Sequence, residues 1–595
     1  MAINLQGMLY DGTTSLDSGM DSGIPPNRID RNQIAWGVNT TVRGGYITQR
    51  PAFLKRTLQF LDASGSEDAT VKSNFETTRF QGASYYRQGE RGFIMVMCGG
   101  RLFRIDPVDD YKVIDVTITD DPNPAERWRV WMVQAEDWLI VQDGQSAALI
   151  YDGGSARRAG KDEVPMGSAM AYGMGRLIVA RGREYYAGDL VYSDTGTPGY
   201  GFRDAVLKFT ETQYLSDGGS FTLPLQSGEI TGMQFLANIN TSLGQGELAV
   251  LSRDAVFTTS LPFDRTTWSS TPGLQRIAQI NNGSVGDGMV VVNGDLFYRA
   301  KDGIRSLIMA VREFGQWSNR PVSREVQRAL KFDSDHLLLH QSGVLFDNRL
   351  LMTVGPTLSE KYVYHTGLVA LDFDVLSSMR GSAPPAYDGI WTGLNAVKLV
   401  TGQFGEEERC FALHYDTTAQ VLELWEITKD GKFDNDGTER ITWRLETRSF
   451  DFERPMNMKK LMTGELWVDD VTDSVDFDVR YRPDQYPFWS SWHTWTECAT
   501  VERCDPDPGE CLEFEKLHPQ YRSRMGLPQP AYSCNIPVDR PMSIGWEFQL
   551  RVEIDGPCRI RQLRLAAEEK DEALFSVCAP GSSCSELSGC VENDY

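Results

Sequence analysis

Histidine is scarce in this chain, and dense positive charge is missing. Only six histidines, His336, His340, His365, His414, His493 and His518, occur in 595 residues, so sites that need several imidazoles have few ways to form. The patterns G-x-S-x-G, H-E-x-x-H, G-x-x-x-x-G-K-[ST] and G-x-G-x-x-G are all missing. With them go the usual signals for a serine hydrolase, a zinc protease, a phosphate loop and a dinucleotide fold. No basic run is denser than Ala156-Arg157-Arg158-Ala159-Gly160-Lys161, and the formal net charge is −23. Tight gripping of a phosphate backbone requires the opposite balance. The same acidity suits a surface that DNA must slide past, because like charge keeps a polyanion from adhering. No stretch approaches the ~18 apolar residues of a membrane helix. The amino end, Met1-Ala2-Ile3-Asn4-Leu5-Gln6, lacks the charged and apolar regions of a secretory signal. The expectation is a chain without a membrane span, made in a cytoplasm.

Cysteine is nearly absent from the first five-sixths of the chain. Only Cys98 and Cys410 precede the last hundred residues, where Cys498, Cys504, Cys511, Cys534, Cys558, Cys578, Cys584 and Cys590 cluster. None of these spacings is C-x-x-C, so a zinc knuckle is not indicated. Disulfides in an oxidising setting and buried free thiols both fit the cluster.

What is present is strand pattern in quantity. Hydrophobic residues make up 41% and charged residues 24%, enough apolar surface for a folded chain. Its length exceeds what one core holds and calls for several domains or a repeated architecture. Twelve Asp-Gly or Asn-Gly steps occur, the chemistry of tight hairpin turns. Trp138-Leu139-Ile140-Val141 and Ala148-Leu149-Ile150-Tyr151 flank such a turn at Asp143-Gly144. Arg176 to Ala180 is expected to pair in the same way with Asp189-Leu190-Val191-Tyr192-Ser193. Further apolar strands open near Phe93, Leu248, Met289, Leu350 and Cys410, with partners such as Asp295 to Tyr298 and Leu368 to Asp372. A spacing of roughly 40 to 60 residues matches four-stranded propeller blades.

The expected fold is all-β: a β-propeller of six to seven irregular blades over residues 61–450, after an extended arm or platform at 1–60. An irregular sandwich or paired barrels are the alternative. Helices are scarce, and the best candidate runs from Ser323, as N-cap, to Leu330. Beyond Phe450, Val475, Phe477, Val479 and Tyr481 alternate with polar residues, as do Trp546, Phe548, Leu550, Val552 and Ile554. Period two places one face on a core. With pairing across Asp555-Gly556 to Ile560 and Leu565, it predicts an antiparallel β-sandwich domain at 451–570, followed by an irregular cysteine-bearing tail at 571–595.

Few residues suggest chemistry. His336 and His340 would share a helix face as metal ligands, but Leu337-Leu338-Leu339 between them reads as a buried strand. Asp430, Asp434 and Asp436 lie among glycines yet miss the EF-hand order and read as a hairpin turn. No catalytic residue, metal or cofactor is expected, and the chain is not expected to be an enzyme. A propeller glycosidase would need paired carboxylates, and no repeated acidic box of the sialidase type is visible. The densest aromatic stretch, Tyr486-Pro487-Phe488-Trp489-Ser490-Ser491-Trp492-His493-Thr494-Trp495, is expected to fill the sandwich core. If exposed, Trp489, Trp492 and Trp495 form a sugar-binding or protein-docking surface.

Near the amino end, Leu16-Asp17-Ser18-Gly19-Met20-Asp21-Ser22-Gly23-Ile24-Pro25-Pro26-Asn27-Arg28-Ile29-Asp30-Arg31-Asn32-Gln33 is followed by Asn39-Thr40-Thr41-Val42-Arg43-Gly44-Gly45-Tyr46 and Arg50-Pro51. Gly44-Gly45 should turn the chain between two extended segments. These residues resemble the opening of podovirus tail nozzle proteins, also called tail tubular protein B or tail hub. Phe297-Tyr298-Arg299-Ala300-Lys301-Asp302-Gly303-Ile304-Arg305-Ser306-Leu307 is more loosely similar to a blade segment of that family. The resemblance implies a structural protein of the virion tail in a short-tailed phage. It implies a homohexameric ring closed by head-to-tail contacts, placed below the portal and its adaptor, with the propeller outside the tube. Genomic DNA would pass through the lumen without specific binding, and tail fibres or spikes would dock on the ring. The alternative is a carbohydrate-binding adhesin or glycan-active propeller, and a cellular protein-interaction propeller is a third reading.

Overall fold

A computed structural model describes residues 7–62, 65–118, 120–191, 202–210, 220–236, 246–261, 275–280, 282–307, 321–374, 385–499, 503–504, 516–517, 520–529 and 541–570. The fold is all-β, a β-propeller with further sheets. The chain divides into two units, 54–368 with 393–428, and 1–53 with 369–392 and 429–595. This division groups the amino-terminal segment with the carboxyl-terminal strands.

The propeller unit contains five separate sheets whose strands pair antiparallel in chain order, apart from Gln59–Leu61, which adds in parallel to Lys112–Asp115 at the edge of the first. The first begins with Phe80–Gln88, Arg91–Cys98 and Arg101–Asp106, and the second with Trp131–Ala135 and Trp138–Gln142. The third begins with Met170–Gly173 and Arg176–Arg181, the fourth with Ile230–Phe235 and Leu248–Ser252, and the fifth with Ser284–Val292 and Asp295–Ala300. The first strands of these sheets lie side by side in order. The strands Gly343–Phe346 and Ala396–Phe404 continue the series until the last meets Phe80–Gln88 again. The ring therefore closes on itself. Phe53–Arg56 adds to the outer edge beside Val421–Ile427, with Lys55 paired to Glu423 and Arg56 to Glu426.

The apolar runs follow from this stacking, because the second strand of each blade is covered on both faces. In Arg91–Cys98, Phe93, Met95 and Met97 pack against Leu139, Val141 and Tyr151 of the next blade. Ile94, Val96 and Cys98 pack the other way, against Val400, Phe411 and Leu424. Ile140 turns from that cluster to Leu177 and Val179, and Ile178 in turn meets Leu248 and Val250. At roughly 25 cal/mol per Å2 of apolar area removed from water, this double-sided burial is the main stabilising term of the unit.

Several local expectations are corrected. Arg176–Arg181 pairs with Glu184–Ala187, not with the residues from Asp189 onward, because Gly182 (φ +63°) closes a tighter turn. Tyr192 and Ser193 lie outside the described residues. Leu338–His340 is a 3-10 turn, not a strand. The helix near 323 is a 3-10 segment, Val322–Val326, leading into Gln327–Leu330. Ser323 does not cap it, since its Oγ accepts the Ile304 amide at 2.9 Å.

The second unit holds two large sheets and two small two-stranded ones among the described residues. One joins Met8–Thr13, Thr40–Thr41, Ile47–Gln49, Lys459–Asp469, Tyr521–Met525, Ile544–Gly545 and Arg559–Glu569. The strands of this unit in the larger sheet run Ser490–Cys498, Ser474–Pro483, Phe548–Asp555, Thr442–Thr447, Ile34–Val38 and Ala386–Trp391. Val475, Phe477, Val479 and Tyr481 are buried as the alternation predicts. Trp546 precedes its strand instead of joining it. The expected hairpin across Asp555-Gly556 does not form, because Phe548–Asp555 and Arg559–Glu569 belong to different sheets. Gly556, at φ +119°, turns the chain between them.

Candidate functional site

The first strands of the blades surround an axial cavity of about 400 Å3. Close approach of these strands depends on small residues: a Cβ at Gly232 would sit 2.4 Å from the Met289 methyl, and one at Gly173 would sit 2.5 Å from the Phe235 ring. Arg129, just before Trp131–Ala135, Asp287 on Ser284–Val292 and Lys398 on Ala396–Phe404 meet in the wall. Asp287 accepts from the Arg129 guanidinium through one carboxylate oxygen and from Lys398 Nζ, at 3.1 Å, through the other. Burial opposes the charge on Asp287, but the two cations overcome it and hold its pKa at about 2. Although Asp287 is deep within the unit, 31% of its side-chain surface opens to the cavity.

His340 completes this wall, with its ring 6.3 Å from that of Trp128. Arg129 lies over the Trp131 ring at 4.8 Å. Burial, with Arg129 adding to it, lowers the His340 pKa to about 4, against the opposing pull of Asp287. Behind it, His365 donates through Nδ1 to the Ala396 carbonyl at 3.2 Å. Burial lowers its pKa also to about 4. At neutral pH the wall thus carries two cations, one anion and neutral imidazole.

This cluster was not found by sequence reasoning. Arg129, Asp287, His340 and Lys398 are separated by up to 269 positions and share no motif, and only ring closure brings them together. Of His336 and His340, only His340 lines the cavity. No group of three or more His, Cys, Asp or Glu able to hold a metal is found among the described residues.

The amino-terminal residues quoted for the family resemblance have structural partners. Gly44 and Gly45, at φ +83° and +80°, turn the chain between the paired strands Thr40–Thr41 and Ile47–Gln49. Arg50 is 2% exposed and grips Asp434 through two bonds, of 2.8 and 2.7 Å. It also donates to Asn39 Oδ1 and to the carbonyls of Pro51 and Thr392, and it stacks 3.6 Å from the Phe53 ring centroid. Asp434 lies in a small hairpin, Phe433–Asp434 with Glu439–Arg440, so the acidic glycine-flanked stretch is a turn, as read.

Trp489, Trp492 and Trp495 are half-buried, not core residues, because Ser490–Cys498 is at the end of its sheet. Trp495 stacks on Phe477 at 4.8 Å, and Trp492 meets Tyr481 at 5.7 Å while its indole donates to the Gly526 carbonyl. Trp489 instead carries the guanidinium groups of Arg482 and Arg551 at 4.2 and 4.5 Å from its ring centroid. Trp492 and Trp495 thus pack on aromatic rings and Trp489 on two guanidinium groups.

Cys98, Cys410 and Cys558 are buried free thiols, and Cys498 is an exposed one. The side chains of Cys504, Cys511, Cys534, Cys578, Cys584 and Cys590 lie outside the described residues.

No family model matches this chain, and no curated protein matches it. Among solved structures it is similar to BBS1N in complex with ARL6DN (8% identity, 64% of this chain and 98% of that chain, TM-score 0.33). It is also similar to BamB from Moraxella catarrhalis (11%, 67% and 98%, TM-score 0.32). A chain of the mitotic checkpoint complex gives 11% identity over 64% of this chain and 92% of that one, with a TM-score of 0.32.

Proposed function

We propose that this chain is a structural protein of a short-tailed phage virion, the subunit of a tail nozzle ring and not an enzyme. The observation that supports this reading most is the commitment of the family-like segment to architecture. Arg50 spends its guanidinium on Asp434, Asn39 and two carbonyls, and the strands around Gly44-Gly45 belong to a sheet. Those residues act as a scaffold, as a ring subunit requires.

The axial cavity, at about 400 Å3, has the size of a small-molecule pocket and cannot admit a duplex. A DNA lumen would therefore be enclosed between copies, with the propellers outside it. The subunit would assemble as a head-to-tail hexamer beneath the adaptor and portal-proximal proteins and dock fibres or spikes, in the virion tail. An acidic wall at net charge −23 per copy would let DNA pass without specific binding. Electron microscopy of the purified chain mixed with the neighbouring tail proteins tests this. Closed rings stacked on the adaptor are expected, and a chain that stays monomeric and never joins those proteins would remove the reading.

One observation favours the carbohydrate-binding alternative: Trp489 is half-exposed, with two arginines against its ring and Phe488, 42% exposed, next to it. A glycan array with saturable binding lost in Trp489→Ala would move the assignment to an adhesin.

A further inference from the structure

We propose that the axial cavity of the propeller unit is a binding site for a small oxyanion, a carboxylate or phosphate group held between Arg129 and Lys398. Among the residues lining the cavity the wall has more cations than carboxylates. Asp287 is the carboxylate among the residues lining the cavity, and both of its oxygens are already taken, one by Arg129 and one by Lys398. An ammonium has three N–H groups and a guanidinium five, so each cation keeps donors that Asp287 does not use.

No hydroxyl of the wall accepts from the two cations: among the described residues the Arg129 and Lys398 side chains donate to Asp287 alone, while Thr231 and Thr401 donate to backbone carbonyls. Arg129 Nε and the Trp131 indole Nε1 are buried without a hydrogen-bond partner among the described residues, so the donors a ligand would meet are those of the terminal guanidinium and ammonium nitrogens. With His340 neutral, two positive groups face one negative one. A second anion would complete the charge and occupy donors that are costly to leave unmatched in a partly dry site.

The molecule as a whole is acidic and repels an approaching anion. At physiological ionic strength, however, charges beyond about 8 Å are largely screened, so the local wall decides. Asp287 then acts as a fixed counter-ion that aligns the two cations and also weakens their hold on any ligand.

That dual role makes the test run in two directions. Isothermal titration of the full chain at pH 7 would use inorganic phosphate and acetate separately, each against chloride at matched ionic strength. Saturable binding of at least one oxyanion over chloride is expected. Lys398→Met and Arg129→Gln should each weaken it about tenfold or more, and Asp287→Asn should tighten it by a similar factor, on the order of 1.4 kcal/mol. Tighter binding is not what general damage to the fold produces. Lys398→Met leaves the Arg129–Asp287 pair intact and so retains the wall if Asp287→Asn fails to fold. Equal heats for phosphate, acetate and chloride would overturn the proposal, as would a Lys398→Met protein that binds the oxyanion as the parent does.

Discussion

Arg50 shows how a residue quoted for a family resemblance acquires a physical job. Its guanidinium is 2% exposed and held in a fork with Asp434; burial pulls its pKa below the ordinary range, with Asp434 opposing. Removing one partner of a buried pair strands the other, at a cost of about 3–5 kcal/mol. Arg50→Ala should lower the stability of its unit by that order. Arg50→Lys should recover only part, since an ammonium cannot make the two-point contact. Urea unfolding followed by hydrogen exchange at the strand Thr442–Thr447 would measure both, and full recovery by lysine would contradict the geometry. A second residue sets a pH dependence. His365 is 1% exposed and its folded pKa of about 4 lies below the usual 6.5, so between these values the unfolded chain takes up a proton that the folded chain refuses. Its contribution is complete above about pH 6.5 and is lost as pH falls toward 4, roughly 3 kcal/mol in all. Melting temperature against pH should decline over this window, and His365→Gln should flatten the decline. It should not abolish it, because His340 is held at about 4 as well. At this scale little of the axial site was legible in the sequence. Arg129, Asp287 and Lys398 carry no local signature, and their meeting is a property of the closed ring.

The hairpin is the element that the sequence displays best. Asp143-Gly144 and the apolar runs around it gave the strands Trp138–Gln142 and Leu149–Tyr151 in the observed antiparallel pairing, because turn chemistry and the two-sided burial of a blade strand are both local in sequence. Partners beyond the hairpin were less legible. Arg176–Arg181 found its mate sooner than expected at Glu184–Ala187, and Phe548–Asp555 crossed to another sheet at Gly556. In both cases a glycine at positive φ, not the apolar pattern, decided the outcome. Not all such glycines weigh the same. Gly182 (φ +63°) has open space where a Cβ would go, whereas at Gly100 (φ +82°) a Cβ would lie 1.9 Å from the Asn123 carbonyl oxygen. Gly182→Ala should therefore cost about 1–2 kcal/mol for the left-handed backbone alone. Gly100→Ala should exceed this and reach about 3 kcal/mol or more, because backbone must also move. Denaturant midpoints of the two variants, compared under one condition, check the order. The reverse order would mean that the turn between Arg91–Cys98 and Arg101–Asp106 can open without loss.

For the whole molecule the governing quantity is charge. Each copy carries a formal −23, so copies in the proposed ring would repel one another at long range, and contacts between them would have to be made by groups at short range. Screening acts selectively on these two contributions: the Debye length falls from about 10 Å at 0.1 M salt to about 3 Å at 1 M. Distant carboxylates then cease to interact, while apolar and directly hydrogen-bonded contacts persist. If the proposed ring is held by such contacts, its assembly should strengthen as salt rises, with larger species gaining population at fixed protein concentration. An assembly built on paired charges between subunits would behave in the opposite way, because exposed ion pairs weaken with salt. Sedimentation velocity of the purified chain across a salt series from about 0.1 to 1 M separates the two. Growth of a discrete closed species with salt agrees with a repelling acidic ring. Dissolution of that species by salt would mean that subunit recognition is electrostatic, and that the acidic surface is an adhesive face, not a passive wall for DNA.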